Sequence, residues 1–287
     1  MTSTFLPSPL PGLARCYLLA LAGRNHNGSG SIQAQWDCQQ WQYQLPDYLS
    51  LCGALSRTQL PTWLQVVSFP MQLAVLTAPA FPLAAMGLVH LENEISCFGE
   101  LVAGSAVAFR CVSEPVQPQE KGQTVALVTE AKQGDALVWR SRAVYLQRQR
   151  KAGAHNQQRQ GDSFAGYANQ SAQWALPRRL GWRYGWLSGD LNPIHLHPWC
   201  ARLFGFKSNI AHGMWSKARC LSELAAQGVL PDSPYRVAVR FAKPILLPAQ
   251  IQCHWQPACE GLDFALLSAD GTLCHLTGRV EPLSSAV

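Results

Sequence analysis

The sequence has few charged side chains, no paired-cysteine motif and no long apolar run. Charged residues make up 14% of the 287 residues, whereas apolar residues make up 48%. We therefore expect part of the apolar surface to be buried between domains or subunits. The net charge of +6 comes without a Lys/Arg block or an RNA-binding motif, which argues against nucleic acid as a partner.

The ten cysteines include no C-x-x-C pair and form no framework typical of small secreted proteins. Reduced, mostly buried thiols in a cytoplasmic protein are the natural interpretation. No apolar run approaches the ~18–20 residues that a membrane span needs. Residues 16–22 are apolar, but three prolines and no cation precede Arg15, so this run predicts a first strand or helix rather than a signal peptide.

The two halves of the chain end with similar patterns of predicted strands. In the first half these are residues 86–95, 106–112, 124–130 and 136–146, with a turn at Gly134-Asp135. In the second half they are residues 235–241, 251–255, 263–267 and 273–280, with a turn at Asp270-Gly271. This weak internal repeat predicts a duplicated domain.

The remaining segments are harder to assign. Residues 33–51 indicate a strand and a helix without clean periodicity, and the apolar residues 63–78 predict a helix interrupted at Pro70. Residues 147–162 form the most polar stretch and predict a linker. We therefore expect a first domain over residues 1–150, a linker over 151–162 and a second domain over 163–287.

Polar chemistry is concentrated between residues 184 and 218. The core of this stretch reads Ser188-Gly189-Asp190-Leu191-Asn192-Pro193-Ile194-His195. Its turn-forming residues predict a bent segment, on which Asp190 and His195 can face one small volume. Such a pair could hold a water molecule and take or return its proton, while the amide of Asn192 fixes the loop or the water.

A helical pattern follows this segment, starting at Gly213 and ending at Gly228. The free backbone N–H groups at its start suit a developing oxyanion, because Gly213 allows a close approach. An acid/base pair beside an oxyanion site fits proton chemistry next to a thioester carbonyl.

These residues, with Ala201 and Ile210-Ala211-His212-Gly213-Met214, resemble the MaoC-like (R)-specific hydratase/dehydratase family. The resemblance is densest over residues 176–228. It implies an α+β double hot-dog fold, in which curved antiparallel sheets each wrap a central helix. It also implies hydration of trans-2-enoyl thioesters, or dehydration of 3-hydroxyacyl thioesters, carried by coenzyme A or an acyl-carrier protein, with no cofactor or metal.

By this resemblance Asp190 and His195 are the catalytic pair, Asn192 supports them, and the Gly213 N–H binds the thioester carbonyl. One departure lies close by, since His197 stands where the family often has an acid. The mild positive charge suits an anionic carrier. It is equally consistent with an ordinary solvated surface.

The first half has no Asp-x-Asn-Pro-x-His motif. Its main polar cluster is His90 with Glu92, Asn93 and Glu94, whose side chains alternate between the faces of a strand and so do not converge. We interpret His90 as structural. The resemblance implies that this half is a non-catalytic partner that completes the sheet and shapes the acyl tunnel.

Several alternatives stay open. Asp190, His195 and His197 could ligate a metal, although no fourth ligand is evident. The same fold could carry a thioesterase or a protein that only binds acyl thioesters. Four cations near the motif could contact carrier phosphates or could be plain surface: Arg178, Arg179, Lys207 and Arg219. His212, beside the helix start, could hydrogen-bond backbone and hold the loop, and it receives no chemical role. A further homodimer is compatible with the low surface charge.

Overall fold

The computed structural model describes residues 3–6, 12–21, 31–54, 61–148, 171–231 and 234–283. The chain divides into two compact units. The first contains Met1–Tyr43 and Leu64–Gly153, and the second contains Gln44–Trp63 and Ala154–Val287. The segment Gln44–Trp63 therefore groups with the second unit. The domain boundaries expected from the sequence stay a prediction, and the expected linker at 151–162 lies outside the described residues.

The helices and strands follow one another along the chain in the order below. They are β1 (Ser3–Phe5), α1 (Leu13–Leu21), β2 (Ser31–Cys38), α2 (Leu45–Cys52), α3 (Thr62–Val67), α4 (Phe69–Leu76), β3 (Leu88–Cys97), β4 (Val107–Ser113), β5 (Gln117–Gln119), β6 (Gly122–Gln133), β7 (Ala136–Arg148), β8 (Ser171–Leu176), α5 (Leu180–Ser188), α6 (Pro193–Leu196), α7 (Pro198–Leu203), α8 (Gly213–Ala226), β9 (Tyr235–Phe241), β10 (Ala249–Ala258), β11 (Gly261–Ser268) and β12 (Cys274–Pro282). No helix in these ranges has both the length and the apolarity that crossing a membrane requires.

In the first unit, the strands run in the order β1-β2-β4-β6-β7-β3. All neighbours are antiparallel except β1 and β2, and β5 pairs with β6. Helix α4 contacts β2 and β4, and its residues from Met71 to Leu76 are all buried. Because six consecutive residues are buried, this helix is covered on every side, and α4 is the core helix of this unit.

In the second unit, the antiparallel order is β9-β12-β11-β10-β8. Its long helix α8 buries eight of its residues, among them Trp215, Ala218, Leu221 and Leu224. These four recur every third residue, and the other buried positions lie between them, so most of the circumference of α8 is covered. Helix α2 belongs to this unit, where the Trp215 indole donates to the Leu51 carbonyl at 3.1 Å.

The two sheets share one strand order, because β3-β7-β6-β4-β2 corresponds to β9-β12-β11-β10-β8. The hairpins correspond as well. The register shifts between Ala131 and Lys132 in β6, and between Leu266 and Leu267 in β11. This match confirms the internal repeat and the α+β hot-dog architecture, with one core helix for each sheet.

Candidate active site

The segment that links α5 to α6 is bent by turn chemistry. Helix α5 ends at Ser188 and is capped by Gly189, whose φ of 75° is a left-handed conformation that glycine adopts without strain. Asn192 then caps α6, its side-chain oxygen accepting from the Ile194 N–H at 3.4 Å, and Pro193 occupies the first turn. The predicted bend is confirmed, although His195 lies within a four-residue helix rather than in irregular chain.

Two glycines on one side of α5 let the segment pack against the helix backbone. A Cβ added at Gly181 would fall against the carbonyl oxygen of His195, inside contact distance. A Cβ at Gly185 would lie 2.9 Å from the carbonyl oxygen of Asp190. Their four-residue spacing puts both glycines on one helix face, so the segment lies directly on α5.

The buried Asn209 fixes the other side of the segment. Its amide nitrogen donates to the carbonyl oxygens of His195 and Arg178, at 3.2 and 3.0 Å. The next residue, Ile210, donates its backbone N–H to the Ile194 carbonyl at 3.1 Å. These bonds satisfy buried backbone groups of α6 and hold His195 in place.

Asp190 and His195 come together in one small volume. A carboxylate oxygen of Asp190 lies within 4.8 Å of a ring nitrogen of His195. His195 Nδ1 contacts the Ile210 carbonyl oxygen at 2.9 Å. A carbonyl oxygen can only accept, so neutral His195 carries its proton on Nδ1 and has its lone pair on Nε2. One water molecule can bridge two groups at this separation.

His212 joins this pair. The sequence predicts a hydrogen bond from His212 to backbone, but it does not predict this contact with the pair. Its ring stacks on that of His195, with centroids 3.6 Å apart and planes inclined by 23°. His212 Nε2 donates to the Asp190 backbone carbonyl at 3.0 Å and lies 3.9 Å from the Asp190 carboxylate. His212 therefore contacts both members of the predicted pair.

Burial favours the neutral form of both imidazoles. It lowers the pKa of His195 below its ordinary value of 6.5, against the raising effects of the Asp190 charge and the Ile210 hydrogen bond. Burial also lowers the pKa of His212, well below 6.5, and a charge on the stacked His195 lowers it further. Both rings are thus neutral at physiological pH, and His195 can accept a proton at Nε2.

Helix α8 begins next to this cluster, with His212 as its N-cap residue and Gly213 as its first residue. The His212 side chain makes no capping hydrogen bond, and the first intrahelical bond at this end runs from the Ser216 N–H to the His212 carbonyl. The N–H groups of the first turn, including that of Gly213, therefore lack helical partners. With the helix dipole, they favour a negative charge at this point.

Asp190, His195 and His212 offer one metal-ligating atom each, all within 4.8 Å of one another. They could hold an ion only with rearrangement, because the rings are stacked and His212 Nε2 is bonded to a carbonyl. His197, which the sequence offered as a third ligand, is exposed and caps α7, its Nδ1 accepting from the Trp199 N–H at 3.2 Å.

The four cations near the motif lie in different settings. Arg178, Arg179 and Lys207 are exposed. Arg219 is partly buried, with its guanidinium carbon 4.0 Å from the centre of the Trp174 ring and its Nη2 3.4 Å from Glu223. It lines a groove of about 430 Å³ together with Trp174, and neither Asp190 nor His195 lines this groove.

Comparisons with known proteins show which proteins this chain resembles. The model of the MaoC-like domain matches residues 169–258, which include Asp190, Asn192, His195 and Gly213. The 3-hydroxyacyl-thioester dehydratase X of Mycobacterium tuberculosis is 32% identical over 237 residues, covering 82% of this chain and 84% of that protein.

Solved structures show the same fold. The structure of HtdX from Mycobacterium tuberculosis superposes with a TM-score of 0.73 at 29% identity, covering 88% of this chain and all of that chain. A conserved protein of the same organism, described as a double hot-dog fold, has a TM-score of 0.55 at 12% identity and covers 97% of this chain and 99% of its own. At that identity the second match supports the fold alone.

Proposed function

The chain belongs to the MaoC-like dehydratase family and is a hydro-lyase. We propose that its second unit dehydrates (R)-3-hydroxyacyl thioesters, or hydrates trans-2-enoyl thioesters. We propose Asp190 and His195 as the catalytic pair. The observation that carries this assignment is the convergence of the Asp190 carboxylate and the His195 ring next to the start of α8. Asn192 supports the pair by capping α6.

The reaction in the hydration direction starts from one water molecule between the Asp190 carboxylate and His195 Nε2. The water oxygen attacks C3 while the pair takes its proton. Negative charge develops on the thioester oxygen, where the Gly213 N–H and the dipole of α8 stabilise it. The pair returns a proton to C2, so the net change is the addition of H and OH across the C2–C3 double bond.

His212 is a positioning residue in this proposal. It holds the Asp190 backbone through Nε2 and packs against the face of the His195 ring. Its low pKa keeps it neutral beside His195, so it adds no positive charge that would weaken the neighbouring base.

The proposal is tested with crotonyl-coenzyme A and longer enoyl thioesters. We expect loss of the enoyl absorbance with formation of the (R)-3-hydroxyacyl thioester and no release of free thiol. Thiol release in step with substrate loss would identify a thioesterase instead. Saturable binding with unchanged substrate would identify a protein that only binds acyl thioesters, and either result overturns the proposal.

The other expectations from the sequence are part of the same proposal. The first unit, residues 1–150 in the predicted division, is the non-catalytic partner. All ten cysteines are free thiols, which supports a reducing compartment such as the cytoplasm. The substrate carrier is coenzyme A or an acyl-carrier protein.

A further inference from the structure

The helices beside the catalytic segment expose large apolar side chains. The five residues, with their exposed fractions, are Trp182 (50%), Trp186 (59%), Trp199 (72%), Leu203 (86%) and Phe204 (45%). Trp182 and Trp186 lie one turn apart on α5, with ring centroids 6.0 Å apart, and Trp199 and Leu203 have the same spacing on α7. Helices α5 and α7 both pack against α6, so these exposed residues lie on the two neighbours of the helix that carries His195. Exposed apolar residues grouped in this way mark an interaction surface.

The same helices and their ends carry a strong positive charge. Five exposed cations lie between residues 177 and 209: Arg178, Arg179, Arg183, Arg202 and Lys207. The one acidic residue in this stretch is Asp190, which belongs to the catalytic pair. The local net charge is therefore +4 from 5 cations and 1 acid, in a chain whose total is +6. We call the five apolar side chains and the five cations the docking face.

The docking face is contiguous in the chain with the reacting groups. Asp190 follows the last residue of α5 by two positions, and α7 starts two positions after the last residue of α6, the helix that carries His195. A molecule bound to this face is consequently held beside the site at which the thioester reacts.

The composition of the docking face favours a protein partner. Tryptophan and arginine are the residues enriched at the centres of protein interfaces, and acidic residues are depleted there. The guanidinium of Arg202 already lies 5.6 Å from the centre of the Trp199 ring. A second copy of the chain does not fit, because a two-fold interface would oppose two sets of five cations.

We propose that the docking face binds an acidic protein that carries the acyl chain as a thioester, so that this enzyme is built for protein-bound substrates. The proposal rests on the proposed function and specifies its carrier. An anionic membrane would also attract cations and tryptophans. It would not account for their position beside Asp190 and His195, and it is treated as a competing outcome.

The test compares three crotonyl thioesters that differ only in the carrier. One is attached to a bacterial acyl-carrier protein, one to coenzyme A, and one to N-acetylcysteamine, which has no phosphate and no protein. The variant is R179E/R202E, with one substitution next to α5 and one on α7. The matched control is R15E/R148E, which makes the same charge change at exposed arginines of the first unit.

For R179E/R202E we expect kcat/KM with the carrier-protein substrate to fall about tenfold or more at low salt, and the deficit to shrink as salt rises. Activity with the N-acetylcysteamine thioester stays at the wild-type level, and R15E/R148E behaves like the wild type with all three substrates. The substitution W199A, at an uncharged position, lowers only the carrier-protein reaction.

An equal loss with coenzyme A and with the carrier protein would show that the arginines bind phosphate groups, which overturns the proposal. It is also overturned if R179E/R202E and W199A both keep wild-type kcat/KM with the carrier-protein substrate. A third contrary result is that R179E/R202E keeps its activity and loses only its sedimentation with phosphatidylserine vesicles. Absence of hydration of all three thioesters by the wild type would instead overturn the proposed function.

Discussion

The core helices of the two units occupy the same place in the same strand order, yet their first turns differ. Helix α4 of the first unit has Pro70 in its first turn, and proline has no N–H to offer a ligand. Around that turn, the buried Gln72 accepts from Gln65 at 2.7 Å and donates to Ser68 at 2.9 Å. Helix α8 of the second unit starts with Gly213, whose N–H has no partner within the helix.

The groups that surround the two helix starts differ in the same way. The side chains near α4 are amides and hydroxyls, whereas those near α8 are a carboxyl group and two imidazoles, which are the groups suited to general acid–base chemistry. In our proposal, one architecture serves as a scaffold in the first unit and carries chemistry in the second, and the difference lies in a few side chains.

The largest expected effect comes from removing the proton-transfer groups. D190N and H195Q should each lower kcat for crotonyl-coenzyme A by about 10²–10⁴, the usual contribution of a positioned acid or base. The control is H90Q in the first unit, where His90 stacks on Tyr145 in the sheet with centroids 4.7 Å apart. It should keep kcat within about threefold, since loss of one such packing contact does not reach the chemistry.

Thermal unfolding of the three variants must accompany the kinetics, so that loss of fold is not mistaken for loss of chemistry. Wild-type kcat in D190N or in H195Q would refute their assignment. A loss in H90Q as large as in D190N, with the fold intact, would show that the first unit takes part in the reaction.

The second-largest expected effect comes from changing the first residue of helix α8. G213P gives α8 a proline in its first turn, as in α4, and removes the N–H, whereas G213A keeps it. A Cβ at position 213 would lie 2.9 Å from the Phe241 ring, so any side chain here meets that ring. The G213A variant therefore measures this steric cost alone. We expect kcat of G213P to be about 10²–10³ lower than that of G213A, as for loss of one oxyanion donor. Equal kcat in the two variants would remove the Gly213 N–H from the mechanism.

The sequence predicts the strands well, because alternation and turn residues are local signals. The predicted strand over residues 235–241 coincides with β9, and both hairpin turns are confirmed. Helices α5, α6 and α7 were missed for physical reasons. Helix α5 contains two glycines and depends on packing of the buried Tyr184, while α6 and α7 are too short to show periodicity.

Long-range contacts account for the rest of what the sequence did not show. His212 meets Asp190 across 22 positions, and its own neighbourhood indicates a bond to backbone but not which residue it contacts. The assignment of residues 44–63 to the second unit depends on bonds such as that from Trp215 to Leu51, which span 164 positions. The spacing of Gly181 and Gly185 was the one local signal that could have revealed how closely α5 approaches the catalytic segment.

The smallest expected effect is a difference between the two units in how their stability depends on pH. Among the described residues, the buried histidines are His195, His212 and His275, all in the second unit, whereas the buried polar side chains of the first are amides and hydroxyls. Burial lowers the pKa of all three histidines below 6.5. As pH falls below that value, the unfolded chain therefore takes up protons that the folded chain does not, and stability is lost.

The stability of the second unit should consequently fall between pH 7 and pH 5, by at most about 1.4 kcal/mol per pH unit for each histidine. Hydrogen exchange should show this fall in α8 and its sheet, while the first unit changes little. H212N removes one of the three sites, so its stability should depend less steeply on pH. H197N alters an exposed histidine and keeps a capping residue for α7, so its pH dependence should equal that of the wild type. If the first unit lost protection as steeply as the second, the buried histidines would not be the cause, and the electrostatic contrast between the units would fail.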